Sequence, residues 1–360
     1  MNYVEETSRK AMAELTIRFH PKSNQHIIKG VTIMKKIISM ILVLAMAISL
    51  LTGCGSSKSE ASSNTFKVAI IQQLDHSSLD EIRNAIETQL KALAAEKGVN
   101  IEITYDNGQN DTSMLTQIAT QVVADKPDMI IPIATLAAQY TVLATEGTDI
   151  PVVYAAISDP EGAGLTGLKN VTGVSDALNT PFILDMMLAA QPDVKTVGLL
   201  YSTSEINSEA PIAQAKEYLD AKGIAYIEKT GTTSGEIVEA AASLVGRVEA
   251  VFTPTDNVVM AAETSVAELL NADGIAHYTG ADSFVLSGAF TTCGVNYTEL
   301  GTKSADIAFD ILMGGSIGEF VVMDGGIITV NSDTAAAIGV DYSVFSTMAN
   351  TVNAVTTVTD

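Results

Sequence analysis

From Phe66 onward the sequence predicts an α/β protein built as two doubly wound lobes, each around a mostly parallel sheet. Three observations predict it. Short apolar runs alternate with amphipathic segments, as when helices cover both faces of a buried sheet. The alternation runs twice, on either side of an irregular, Gly/Asp/Asn/Ser-rich stretch from Ser158 to Thr180. And 360 residues, 47% apolar and 17% charged, suit two domains of ordinary size better than one.

The elements follow in order. Phe66–Ile71 reads as a strand, and the capping box Ser78-Leu-Asp-Glu81 opens a helix on which Leu79, Ile82, Ile86, Leu90 and Leu93 share a face, with Gly98 as its stop. Ile101–Tyr105 is a second strand. An Asp106-Asn-Gly108 turn leads into a helix through Met114, Leu115, Ile118, Val122 and Val123, halted by Pro127. Met129–Ile133 and Ile150–Ala156 are buried-looking strands. The second half repeats the rhythm: strand Lys195–Leu200, helix Glu209–Lys222, strand Ile224–Ile227, helix Ser234–Gly246, strand Glu249–Thr253, helix Asn257–Asn271, strand Ile275–Tyr278. What remains, Gly288–Asn296, a helix near Leu300–Gly314, Phe320–Val330 and a helix from Ser332, is too short for a third domain and is expected to cross back. The expected division is lobe one at 66–175 and 288–322, lobe two at 176–287 and 323–345, and a disordered tail at 346–360.

The N-terminus reads as an address. Lys35 and Lys36 precede an uncharged, mostly apolar run, Ile37–Leu51, whose 15 residues at about 1.5 Å each fall short of a ~30 Å hydrocarbon core. Residues 34–53 are therefore a signal peptide, and Leu51-Thr-Gly-Cys54 resembles the bacterial lipobox, which implies a lipid on Cys54 and an extracytoplasmic, membrane-anchored protein. Residues 54–65 form a flexible tether, and 1–33 read as an over-extended reading frame ahead of the true start at Met34.

Several function classes are excluded. With 42 acidic against 20 basic side chains the net charge is −22, and it deepens to −26 without residues 1–53, so nucleic acid is repelled. Two cysteines, Cys54 and Cys293, give no zinc site or disulfide framework, and beyond the leader only His76 and His277 remain for acid–base or metal chemistry. Asp75, His76 and Asp80 span a loop and a first helical turn, where acidic residues are favoured by the helix dipole. Gly162-Ala-Gly-Leu-Thr-Gly167 matches the dinucleotide pattern, but Ser158–Glu161 separates it from its strand and no amphipathic helix follows. No phosphate loop or nucleophile elbow occurs. No catalytic residue, metal or cofactor is expected.

Open parallel sheets bind ligands beyond their strand C-termini. In lobe one the polar residues there are His76, Ser77 and Ser78, Ala134 with Thr135, and Ser158 with Asp159. In lobe two they are Ser202, Ser204, Glu205, Asn207 and Ser208, then Thr255, Asp256 and Asn257, then Asp282 with Ser283. Each alone reads as a helix cap. Together they line one edge of both lobes.

Taken with Ile133-Ala-Thr-Leu-Ala-Ala-Gln139, Ala156-Ile-Ser-Asp-Pro160, Gly173-Val-Ser-Asp176, Leu200-Tyr-Ser-Thr-Ser-Glu205 and Pro254-Thr-Asp-Asn257, the chain resembles the tryptophan/tyrosine-type substrate-binding proteins of bacterial ABC importers across Phe66–Phe345. The resemblance implies a type I periplasmic-binding-protein fold, three crossovers, a ligand in the cleft, and a cognate permease with ATPase as partners of a monomeric receptor. For an amino acid, Thr135 with Ser77 or Ser78 is the expected carboxylate site and Asp256, then Asp282, the expected ammonium partner; Tyr140, Tyr154 and Tyr201 are candidate ring contacts. Hinges are expected near Val174–Pro181, Ser287–Ala289 and Val322–Gly326. A receptor for a sugar, nucleoside or other small metabolite, or a sensor presenting its ligand to a membrane kinase, would use the same fold. A LacI-like regulator is disfavoured by the signal peptide and the charge.

Overall fold

The structure, a computed structural model, describes residues 65–358; the leader, signal-peptide and lipobox readings fall outside the described residues. In lobe one, β1 (Thr65–Gln72) lies between β2 (Asn100–Asn107) and β3 (Met129–Ile133), followed outward by β4 (Val152–Ala155), β5 (Val171–Ser175) and β11 (Val321–Val322), every pair parallel. The two-residue period of a strand sends alternate side chains to opposite cores. Val68, Ile70, Met129, Ile131 and Val153 pack on one face with α1 (Ser77–Lys97) and α10 (Tyr297–Leu312). Ala69, Ile71 and Ile130 pack on the other with α2 (Thr112–Ala124) and α3 (Thr135–Ala144).

Lobe two repeats the plan around β6 (Thr196–Ser202), flanked by β7 (Ala225–Gly231) and β8 (Ala250–Thr253), then β9 (Ala276–Thr279), β10 (Thr291–Gly294), β12 (Ile327–Asn331) and β13 (Thr351–Val355). Only the β10–β12 pair is antiparallel. Val197, Leu199 and Phe252 face α4 (Thr180–Ala190) and α5 (Glu209–Lys222), while Leu200 and Val251 face α6 (Ser234–Ala242), α7 (Asn257–Met260) and α8 (Glu263–Ala272); the short α9 (Asp282–Leu286) follows β9.

The chain passes between the lobes three times, after β5, after β10 and after β11. The second passage corrects the expected boundary at 288. Thr291–Gly294 pairs with β9 and β12 and so belongs to lobe two, which moves the passage from Ser287–Ala289 to Val295–Asn296. The tail expected to be disordered instead supplies β13, whose backbone pairs with β12 along five residues. Within the stretch expected to be irregular, Val171–Ser175 forms β5. Its Gly173 lies against Tyr154, where a Cβ would clash, so the short Thr/Gly-containing segment is a fully buried strand without a long apolar run. The helix expected over Asn257–Asn271 breaks into α7 and α8, and the break turns Glu263 inward to His277, with Glu263 Oε1 3.0 Å from Nδ1.

The seam that joins residue 300 to lobe one is close-packed. A Cβ on Gly301 of α10 would fall 2.5 Å from the Ile82 carbonyl oxygen and 2.7 Å from Ala85 Cβ on α1. Gly301→Val is therefore expected to destabilise the protein by about 1–3 kcal/mol through overpacking. Denaturant unfolding measures this, and an unchanged midpoint would mean that the two helices separate freely.

Candidate functional site

The loops after β1, β3, β4, β5, β6, β8 and β9 meet in a small cleft between the two sheets. Its wall includes His76, Ser78 and Leu79, Ala134 and Thr135, Ala156 and Ser158, and Asp176; facing them are Asn207, Thr255–Asn257, Met260, Ala281, Ser283, Phe284 and Tyr297. Two non-glycine residues on this wall adopt left-handed backbone, Ala134 (φ 72°) and Ala156 (φ 59°). Both directly follow strands, and such conformations cost an alanine energy that the surrounding fold must offset. Ala134 turns β3 into α3, so that the N-terminus of α3, like that of α1, opens on the cleft.

A larger hollow, about 730 Å³, runs along the crossing segments, whereas the cleft holds about 30 Å³. Size does not decide between them. Among the described residues, the cleft wall carries three buried polar atoms without a hydrogen-bond partner: His76 Nδ1, Ser78 Oγ and Asn207 Oδ1. The wall of the larger hollow carries none. Buried polar atoms left unpaired call for a partner, so the cleft is the candidate site.

Three side-chain pairs join the lobes across it: Gln73 Nε2 donates to Glu205 Oε1 (2.7 Å), His76 Nε2 meets Asn257 Oδ1 (3.0 Å), and Ser158 Oγ meets Thr255 Oγ1 (2.8 Å). Glu205 lies just behind the wall and also accepts from Asn257 Nδ2 at 2.7 Å. Burial, and then the nearby Asp256 carboxylate, push its pKa up to about 8. Burial raises Asp256 too, but Asp256 accepts from Ser202 N, Ser208 Oγ, Val258 N and Val259 N at 2.7–3.1 Å. With four donors on Asp256, Glu205 is the member of the pair that takes the proton. Burial raises Asp176 as well, offset in part by Ser158 Oγ and the Tyr297 hydroxyl, its two side-chain donors. Burial lowers His76, which keeps its imidazole neutral.

Of the residues singled out in the sequence, His76, Ser78, Ala134, Thr135, Ser158, Asn207, Asp256 and Asn257 come together on the wall. Others do not. Ser77 is exposed, Asp159 Oδ1 accepts from Gly162 N, Ser202 and Ser204 bond each other through their hydroxyls, and Asp282, pushed up to about 6 by burial and Glu81, lies off the wall. The role expected of Asp256 is corrected: its four bonds make it the N-cap of α7 and leave no acceptor position for an ammonium. The ring contacts are corrected as well. Tyr154 is buried within lobe one, Tyr201 bonds Glu228, and Tyr140 is absent from the wall, which instead carries Phe284, Tyr297 and Met260. Asp176 and Gln73 were not among the expected site residues. Asp176 stands in the Gly173-Val-Ser-Asp176 motif, whereas Gln73, inside an apolar strand end, gives no local signal.

Comparison with known proteins places this geometry. A family model described as ABC transporter substrate binding protein matches residues 67–350. A tyrosine-binding protein of Clostridioides difficile is 33% identical over 320 residues, 84% of this chain and 92% of that protein. The structure of an ABC domain in complex with L-Trp from Streptococcus pneumoniae matches with a TM-score of 0.75 at 28% identity, covering 81% of this chain and all of the other. The ligand-free, open structure of a substrate-binding protein with adhesive properties from Clostridium difficile matches with a TM-score of 0.62 at 32% identity and the same coverage. The closer superposition is thus on the complex despite its lower identity, in keeping with lobes in contact. At 14% identity and a TM-score of 0.57, covering 76% of this chain and 98% of the other, an ABC solute-binding protein from Agrobacterium vitis shares the type I periplasmic-binding-protein fold.

Protonation of Glu205 has a measurable signature. Because its pKa in the folded protein is raised from 4.5 to about 8, its contribution to stability is full below the lower value and is lost as pH rises through the upper one. Unfolding free energy is expected to fall across that window. Glu205→Gln, which carries no titratable proton, is expected to flatten part of the fall. Denaturant unfolding at several pH values checks it, and parallel wild-type and variant profiles would show that Glu205 is not protonated.

Proposed function

The chain belongs to the ABC transporter substrate-binding protein family, and we propose that this member captures an aromatic amino acid between its lobes. The family is the substrate-binding component of a transporter and not an enzyme. One observation carries the ligand class: the cleft has two chemically opposite poles. At one, the N-termini of α1 and α3 open beside Thr135 and the unpartnered Ser78 hydroxyl, as a carboxylate requires. At the other, Asp176 is only 6% exposed, lines the wall, and has acceptor capacity beyond its two side-chain donors, as an ammonium requires. Phe284, Tyr297 and Met260 supply the apolar and π surface for a ring. Relatives that bind tyrosine or hold L-Trp support the same class.

An amino acid does not fit in about 30 Å³, so the cross-lobe pairs must part to admit it. The ligand then takes over their role, and closure follows from its higher affinity for the state in which both poles reach it. The three passages between lobes are the hinges of that motion. Among the described residues no helix is long and apolar enough to cross a membrane. The receptor is placed outside the cytoplasm by residues 34–53 acting as a signal peptide and is held there by lipid on Cys54. It works as a monomer and delivers its ligand to a permease driven by an ATPase.

Calorimetry of the purified protein against the standard amino acids tests the reading, with an aromatic ligand expected to bind most tightly. Asp176→Asn is expected to cost about 3–5 kcal/mol by leaving a buried ammonium uncompensated. Thr135→Val is expected to cost about 1–3 kcal/mol at the carboxylate. Wild-type affinity in Asp176→Asn would remove the ammonium site.

A further inference from the structure

The hydrogen-bond chain across the cleft has a direction that can be fixed from its two ends. In lobe one, Leu136 N donates to Gln73 Oε1, so the amide nitrogen of Gln73 is what meets Glu205. In lobe two, Asn257 Nδ2 donates to Glu205 Oε2 at 2.7 Å. Each Glu205 carboxyl oxygen thus accepts one amide N–H, from Gln73 and from Asn257. Asn257 therefore presents Nδ2 to Glu205 and Oδ1 to His76, and His76 must carry its hydrogen on Nε2. The result is that His76 Nδ1 is an unprotonated acceptor, buried, without a partner, on a residue that lines the cleft.

Resting on the aromatic amino-acid reading above, we propose that His76 determines specificity: its Nδ1 lone pair accepts from a hydrogen-bond donor on the ligand's ring, a phenol O–H or an indole N–H, and discriminates against a ring that carries only C–H. Closing the cleft on a bare phenyl ring leaves Nδ1 desolvated and unpaired, whereas a ring donor satisfies it, so the difference appears as discrimination between ligands of nearly the same shape. Asn257 and Glu205 act as positioning residues, because they fix which nitrogen of the imidazole holds the hydrogen. The charged and titratable neighbours are Asp75, Asp80 and Arg83 on the His76 side, with Tyr105 from β2; facing them from lobe two are Glu205 and Asp256, with Asp176 and Tyr297 on the wall. None of these supplies a hydrogen bond to Nδ1.

The test is calorimetry of L-tyrosine, L-tryptophan and L-phenylalanine on the wild-type protein and on His76→Leu. Wild type is expected to bind at least one of the donor-bearing ligands about tenfold or more tighter than phenylalanine. In His76→Leu that ratio is expected to shrink to about threefold or less, with phenylalanine affinity kept or improved. An equal loss for all three ligands would place His76 at the shared amino-acid end and overturn the proposal, as would an unchanged ratio. Should His76→Leu fail to fold, the wild-type protein carries the test by itself. A phenylalanine affinity on wild type within about threefold of both donor-bearing ligands would overturn the proposal. Failure of all three ligands to bind wild type would instead remove the aromatic amino-acid reading, and this inference with it.

Discussion

Where the two lobes meet, a carboxyl group is buried with no cation beside it. Among the described residues no lysine or arginine forms an ion pair with Glu205; it is surrounded by the amides of Gln73, Asn207 and Asn257, with a second carboxylate, Asp256, nearby. Two acidic groups at low dielectric cannot both stay charged at little cost. The division of labour follows from their surroundings. Asp256 has backbone and hydroxyl donors on every side and keeps its charge as a helix cap, while Glu205, with fewer donors and Asp256 nearby, keeps a proton. Amide side chains have a donor end and an acceptor end, so this arrangement imposes one polarity on everything they touch, out to His76 on the wall.

Rigid secondary structure holds these small groups in place. Gln73 and His76 follow the buried end of β1, and Thr135 follows the strained Ala134 at the end of β3. Glu205 and Asn207 come after β6, and Asn257 after β8. Parallel strands end on the same side, so every such loop projects toward the same space. Asp176 and Tyr297 differ in kind. Each stands at a passage between the lobes, and the two bond each other through carboxylate and hydroxyl at 3.3 Å. A group at a hinge that also faces the cleft senses both the ligand and the angle between the lobes.

The alternation of apolar runs and amphipathic helices made the two-lobed architecture legible, since each central strand is a continuous buried run such as Met129–Ile133. Local pattern failed where pairing partners are remote. Thr351–Val355 has no burial signature of its own and becomes a strand because the edge of β12 is there to be paired. Thr291–Gly294 joins lobe two for the same reason. In the site, the sequence pointed to the right strand ends but could not tell a cap from a contact. Asp256 has the same chemistry whether its oxygens meet helix amides or a ligand, and only coordinates show them taken. Gln73 was invisible because one polar residue at the end of β1 reads as a strand terminus, and its partners lie 63 and 132 positions away.

The path of the chain also dictates an order of assembly. Helix α10, which covers one face of the first sheet and is locked against α1 at Gly301, comes from residues 297–312, and the edge strand β11 follows it. The N-terminal half therefore cannot shield its own apolar surface until most of the polypeptide is available. Neither half is a self-sufficient folding unit, and a nascent or partly translocated chain must keep those strands from pairing with strangers until residue 322 has emerged.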